Sequence, residues 1–474
     1  MPPSQSSGAS QAGSSARAIR RTLSSRPVLL LAFAFTVMGD PVSSVAYAIE
    51  AALRALGGDL ALLLPTMAIV VAIIALVIGN YHRLVARFPG GGDAAAAGTA
   101  FGDGWAFLPL GSLIVDYALT IAISVAAASS AIIAYRPELA TVRIPLALLL
   151  LVAVGGLTWF GHHGRTLFAL MTISFVVIGS VVILNGLLDP AGSAGAPTTP
   201  AGFDRSPPLA VLLAFPVAMA LATGVEAPSS AVAQLGQLDT RSQVRFGRIT
   251  LWLTLAVVAW LTLGLTSVAV RLHVGVAAAD STQIADLART AVGSGALFAA
   301  FQLSSAVLLL AAASSSFQAG PGLLKALSDA TGGVGILPHS LGQSNRHHTP
   351  YWGVCVFLLV AAAIVVGARG SEQELVLFYA VAVFLAFLFG LLSMYRFARI
   401  EHERRFQILT LAGLVAVTVT LAVNLGRLYP IASLAAATAI AATLHRLWVR
   451  AGRPSGAAQA EALAERAVAD RRGL

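Results

Sequence analysis

Gly39-Asp40-Pro41-Val42-Ser43-Ser44-Val45-Ala46-Tyr47 interrupts an apolar run near the start of the chain, and Thr223-Gly224-Val225-Glu226-Ala227-Pro228 interrupts another. Each places a helix-breaking Gly and Pro around an acid. Proline has no N–H to give to the carbonyl four residues back, and it sits well at the first turn of a new helix. Both stretches therefore predict helices that stop and restart, with Gly39, Pro41, Gly224 and Pro228 as the breaking residues. The two breaks sit five spans apart, as expected when two five-helix repeats of opposite topology each lend a discontinuous helix to a central site.

The runs around these breaks define the class. The 474 residues are 57% hydrophobic and 11% charged, more apolar than one soluble core of this length needs. Runs close to the ~20 residues that cross a hydrocarbon layer recur at 28–56, 60–80, 105–134, 144–160, 166–188, 208–235, 249–270, 292–324, 351–367, 375–395, 406–424 and 428–445. The expectation is an all-α polytopic membrane protein of about twelve helices, with helices one and six discontinuous. Residues 1–27 are expected to be a disordered cytosolic tail and 28–450 the transmembrane domain, with repeats at about 28–188 and 208–395 followed by two extra helices. Residues 451–474 are expected to be a short, solvated cytosolic tail, and no cleaved leader is expected at the basic start.

The net charge of +9 does not point to a nucleic-acid partner, because the basic residues follow the loops. With both termini in the cytosol, 22 of the 30 Lys and Arg fall inside; Arg54, Arg136, Arg143, Arg205, Arg271, Arg289, Arg369 and Arg427 remain outside. That asymmetry is the positive-inside bias, and it orients the protein in an inner (plasma) membrane. The lone Cys355 excludes a disulfide framework. His162-His163 and His347-His348 lack partnering acids at ligand spacing, and the Pro89-Gly90-Gly91-Gly92 turn reads as a flexible connection rather than a phosphate loop. No nucleophile and base are paired, so the chain is not expected to be an enzyme.

Most acids lie in loops, but Asp40, Glu50, Asp116 and Glu226 fall inside apolar runs, where no Lys or Arg is expected at their depth. A carboxylate at mid-membrane costs at least ~2.5 kcal/mol, so it faces a wet cavity, binds a cation or holds a proton. Glu50 lies nearer the outer end of its run, where a solvated or packing role fits equally. Tyr47 follows Asp40 by seven residues, two helical turns, and shares its face if the backbone between is helical. Ser43, Ser44, Ser124 and Thr223 could add hydroxyl oxygens, although such residues also serve tight helix contacts. Asp40 at a half-helix start would repel a substrate carboxylate and attract a cation. Freed carbonyls, hydroxyls and carboxylates together can replace the hydration shell of a potassium-sized ion.

Phe88-Pro-Gly-Gly-Gly92, Val115-Asp-Tyr-Ala-Leu-Thr120, Ala222-Thr-Gly-Val-Glu-Ala227 and Gly335-Ile-Leu-Pro338 resemble motifs of the amino acid-polyamine-organocation (APC) superfamily. Within it, Asp40-Pro-Val-Ser-Ser-Val-Ala-Tyr47 is similar to a stretch of KimA-type potassium importers. The resemblance implies a LeuT-like fold with a 5+5 inverted repeat and proton-coupled potassium uptake. It implies Asp40, Tyr47, Asp116 and Thr223 as the ion site and Glu226 as the proton-coupling group. A proton-coupled amino acid or polyamine permease is the alternative it leaves open. The proton gradient would supply the energy, with no cofactor, and the lipid bilayer and the small substrate are the expected partners. Two features depart from that pattern: Asp93-Ala-Ala-Ala follows the Gly triplet where the importers have an aromatic residue, and their large C-terminal cytosolic domain is not seen, so neither cyclic di-AMP regulation nor that domain's dimer is expected.

Overall fold

The computed structural model describes residues 26–161, 165–192, 206–328 and 332–471. The tail before Arg26, His162-His163 and most of the Pro/Gly/Thr-rich loop after Asp189 lie outside the described residues. Among the described residues every extended element is a helix, and two isolated bridges are the β pairings that form.

The first apolar run forms α1 (Arg26–Val37) and α2 (Gly39–Ala55), followed by α3 (Leu60–Arg87) and the short α4 (Gly92–Phe101). Next come α5 (Phe107–Tyr135), α6 (Arg143–Trp159) and α7 (Arg165–Leu188). The sixth run divides into α8 (Pro207–Ala218), a 3-10 turn at Met219–Ala222, α9 (Ala227–Ala231) and a second 3-10 turn at Val232–Leu235. The remainder comprises α10 (Thr240–Arg271), α11 (Gln283–Val292), α12 (Ala296–Leu327), α13 (Tyr351–Gly367), α14 (Glu372–Ile400), α15 (Arg404–Asn424), α16 (Leu428–Arg450) and α17 (Ala460–Arg471). Among the described residues eleven helical segments are long and apolar enough to cross a membrane, and α13, at 17 residues, is a shorter apolar helix. This is a multi-pass membrane protein.

The helices sort by how much protein surrounds them. α5 is the central pillar: of its most apolar window, 89% is buried against α12, α14, α16 and their neighbours. α6 and α16 bury 22% and 28% of theirs and leave Leu149, Val152, Leu157 and Ile431 outward, the pattern of helices that meet lipid. Small residues let the central helices close up. Gly111 of α5 lies directly on the α16 backbone, where an added Cβ would come 2.6 Å from the Ala437 carbonyl.

One expectation about the loops is overturned. Past an exposed link at 451–455, the segment after Arg450 is not solvated: Ala457, Ala458, Ala460, Glu461, Ala462 and Ala464 are all buried. α17 packs on α12, α4 and α9, and its alanines join a second hydrophobic cluster with Ala94, Leu323, Ile336 and Trp448. The physical reason is side-chain size. A helix face of alanines lets two backbones approach until small contacts cover them, which a polar reading of the composition does not show.

The Gly triplet is likewise not a loose turn. Gly90 (φ +80°) lies against Ala233, and Gly92 (φ +56°) lies against the Glu461 carboxylate, so neither site has room for a side chain. The turn is packed between α9's neighbouring 3-10 turn and α17.

A carboxylate cavity between the broken helices

The first break is slight. Only Met38 leaves the α-helical pattern, and the ladder resumes at once, with the Val42 amide donating to the Met38 carbonyl at 3.0 Å. Pro41 is the third residue of α2, where its missing N–H leaves only the Val37 carbonyl without its helical partner. Ser43 and Ser44 turn back onto the Asp40 carbonyl at 2.7 and 3.4 Å. The second break is a true unwinding. Thr223 is extended (φ −56°, ψ 133°), Gly224 is left-handed (φ +70°), and 3-10-type bonds link Thr223 to Ala220, Val225 to Ala222 and Ala227 to Gly224.

The two breaks face each other. An added Cβ on Gly224 would lie 2.9 Å from Oδ2 of Asp40, so glycine is required there for backbone conformation and for close approach alike. A cavity of about 100 Å³ opens beside this contact, lined by Asp40, Asp116 of α5, Glu226 and the hydroxyls of Ser230, Ser315 and Ser316. Several waters fit in that volume. The three carboxylates act electrostatically on one another, and among the described residues no Lys or Arg lines the cavity. Oδ1 of Asp40 and Oε2 of Glu226 are buried without a hydrogen-bond partner in the protein. Such atoms call for a proton, a water or a cation.

Tyr47 and Thr223 sit to one side of the cavity, not in its wall. Both are fully buried; the Tyr47 hydroxyl lies 2.9 Å from Ser44 Oγ and within reach of Thr223, whose own hydroxyl donates to the Ala220 carbonyl at 2.7 Å. Asp40, Asp116 and Glu226 are thus gathered around one space, with Tyr47 and Thr223 as a hydroxyl layer next to Asp40 and Asp116. Ser124 is buried on α5 with an unsatisfied hydroxyl and does not line the cavity.

Of the two roles open to Glu50 the buried one holds, and, contrary to the sequence expectation, a basic residue reaches it. It is 2% exposed, pairs with Arg54 at 2.6 Å and accepts from the Gln283 amide at 2.8 Å, while Arg54 also reaches the Ala277 carbonyl at 3.2 Å. Beside it Arg143 donates to Ser130 Oγ at 2.6 Å, and Ser130 donates to Glu372 at 2.6 Å. Together these contacts hold the 272–291 segment over the end of the bundle that is away from α17.

Other residues of the site escaped sequence reading. Asp93 on α4 accepts from the Tyr81 hydroxyl, with Gly390 of α14 leaving space for its carboxylate. Asp93 lies outside the spans, and burial raises its carboxyl to about 7 against the lowering effect of that hydrogen bond. Glu461 and Glu465 of α17 line the cavity directly. Burial first, then the charges of Asp93 and Glu465, push the Glu461 carboxyl well above the usual range. The signal available for Asp93 was its place next to the Gly triplet. For the two glutamates it was their spacing of four on an alanine-rich helix.

Two discontinuous spans around a buried acidic cavity, inside a multi-pass helical protein, are the arrangement of a secondary transporter. The chain belongs to the Amino acid permease family, which matches residues 29–448. It is 26% identical over 372 residues to the potassium transporter KimA of Bacillus subtilis (strain 168), covering 73% of this chain and 58% of that protein. The chain thus spans well under two thirds of KimA's length. Similar solved structures include a mutant of the Eremococcus coleocola manganese transporter (17% identity, TM-score 0.48). Another is that transporter in complex with an aromatic bis-isothiourea substituted compound (15% identity, TM-score 0.47). Each covers 89% of this chain and 94% of its own. The matched family is one of permeases, membrane transporters of the APC superfamily.

Proposed function

We propose that the protein carries out proton-coupled uptake of a monovalent cation, potassium, across the plasma membrane, with the α17 face toward the cytosol. The supporting observation is the cavity: five carboxylates, those of Asp40, Asp116 and Glu226 in the spans and of Glu461 and Glu465 on α17, converge on it with several hydroxyls, and among the described residues no basic side chain lines it. Its volume, about 100 Å³, is below the ~300–1,000 Å³ of pockets that enclose organic ligands, and suits an ion with a few waters. The similarity to a potassium transporter supports the same cargo. The excess of Lys and Arg in loops on the α17 side supports the orientation.

In this reading Asp40 and Asp116 supply charge to the cation, and Tyr47 and Thr223 offer the neighbouring oxygen layer. Glu226, at the unwound break, holds the coupled proton. Its protonation on the outer side lowers the repulsion among the three acids and lets the loaded site close. Release of that proton to the cytosol restores the charge. The family description favours an amino acid as the other cargo, and a polyamine is the second alternative. A polyamine's ammonium groups would suit the acids, whereas the carboxylate of an amino acid would meet Asp40. The test is flux: reconstituted protein should take up rubidium or potassium in response to an imposed proton gradient. Uptake of labelled amino acids or polyamines without rubidium flux would overturn the proposal.

A further inference from the structure

The cavity's wall on the α17 side is made by the chain's own C-terminal segment. Gly456 (φ +97°) turns the chain after Pro454, whose carbonyl accepts from Trp448 Nε1 at 2.9 Å, and thereby returns residues 457–471 beneath the bundle. The segment sits deep because both surfaces are small. An added Cβ on Gly98 of α4 would come 2.5 Å from that of Ala458, and Gly92 makes room for the Glu461 carboxylate. Glu461 and Glu465, one helical turn apart, both face the cavity that holds Asp40, Asp116 and Glu226. Gln234 donates to Glu465 at 2.6 Å, and Ser230 hydrogen-bonds Glu461. Both partners belong to the restarted half of the sixth span, immediately beyond the unwound residues. Cargo leaving the cavity on this side would have to pass α17, since the opposite end is covered by the Glu50, Arg54 and Gln283 contacts.

We propose that residues 457–467 form a tethered plug, an autoinhibitory segment that closes the α17 face of the transport cavity and must withdraw for cargo to pass. The plug is latched to the sixth span by Gln234–Glu465 and Ser230–Glu461, so motion at the second break and withdrawal of the plug are mechanically joined. It rests on the transport reading of the cavity, but not on which cargo is carried.

Accessibility tests it without any substrate. In a Cys355→Ser background, Ser315→Cys places one thiol in the cavity wall, and its alkylation by a soluble maleimide is followed in nanodiscs, where both faces are open. The full-length chain should react slowly. Glu465→Ala removes one charge-assisted hydrogen bond and should raise the rate about tenfold; Ala464→Arg, which cannot seat against α12, should raise it further. Equal rates in all three, with unchanged elution and melting, would overturn the plug. If Ala464→Arg does not fold, Glu465→Ala decides the matter, because it removes a half-buried side chain and leaves the alanine face intact. Faster alkylation in a protein that moves no rubidium would leave the plug standing and remove the potassium reading, whereas rubidium flux with unchanged alkylation would do the reverse.

Discussion

The two interrupted spans begin from similar ingredients, a glycine, an acid and a proline, and end differently. At the first, Gly39, Asp40 and Pro41 are consecutive, and the chain loses a single residue of helix before the Val42 amide resumes the ladder. At the second, Gly224 and Pro228 are spread around Glu226, and a 3-10 turn plus four residues separate the helical halves. A proline at the first turn of a helix removes one N–H that has no essential partner, so the helix can continue through it. A left-handed residue cannot be accommodated in that way. The lesson is a division of labour: Asp40 is carried on a nearly continuous helix and fixed in direction, while Glu226 sits where unwound backbone meets the restarted helix.

The strongest way to break this comparison is to neutralise the fixed acid. Asp40→Asn keeps shape and removes charge; it should cut rubidium uptake by proteoliposomes about 100-fold, the scale of a lost charge-assisted interaction, with expression and melting little changed. Normal uptake by the well-folded variant would show that Asp40 does not touch the cation. Glu226→Gln should act otherwise. It mimics the protonated carboxyl, so rubidium binding should survive while accumulation loses its response to an imposed pH gradient. A variant that accumulates rubidium like the parent would move the coupling role to Asp116.

Beyond the second break, Asp93 offers a pH measurement. Its carboxyl titrates near 7 when folded and near 4 when unfolded, so the folded state holds an extra proton between those values. Stability should therefore fall as pH rises from about 4 to about 7, and level off above. Asp93→Asn should flatten that slope in melting experiments by at most a few kcal/mol; an unchanged slope would assign it to other groups. The smallest effects come from the glycines. Gly224→Ala imposes a left-handed cost of about 1–2 kcal/mol and presses on Asp40, so both melting and uptake should suffer. Gly39→Ala meets the Thr172 hydroxyl at 3.1 Å and, in ordinary contact, Leu308 Cδ1 at 3.9 Å; in ordinary helical backbone it should cost less than about 1 kcal/mol. Equal losses at the two would erase the asymmetry between the breaks.

Hydropathy made the spans legible, because a membrane helix must bury its whole backbone and so needs an unbroken apolar run. The acids at Asp40, Asp116 and Glu226 were legible for the same reason, being costly where they stand. The unequal extent of the two breaks was not, since Gly and Pro mark a weak point without saying how far the backbone opens. α17 was hidden by its composition: alanine is found in exposed helices and at the tightest helix contacts alike, and the Glu and Arg between suggested water. Asp93 was hidden because its burial depends on Tyr81 and Gly390, partners distant in sequence. Tyr47 lies next to the cavity and not in its wall, because seven-residue spacing says nothing of how far along the helix the space extends.

α17 also acts as a strap. It touches the restarted part of the sixth span on one side and α12 on the other, so any rocking of one against the other stretches or shears this short helix. A strap in parallel with such a motion adds a fixed load to one conformation and none to the other. Its strength then sets how the population divides between the two before any cargo binds. The resting posture of the transporter would be tuned by a dozen alanine-rich residues outside the membrane-spanning helices, and lengthening the 451–456 connection would slacken the strap without changing a residue of the spans.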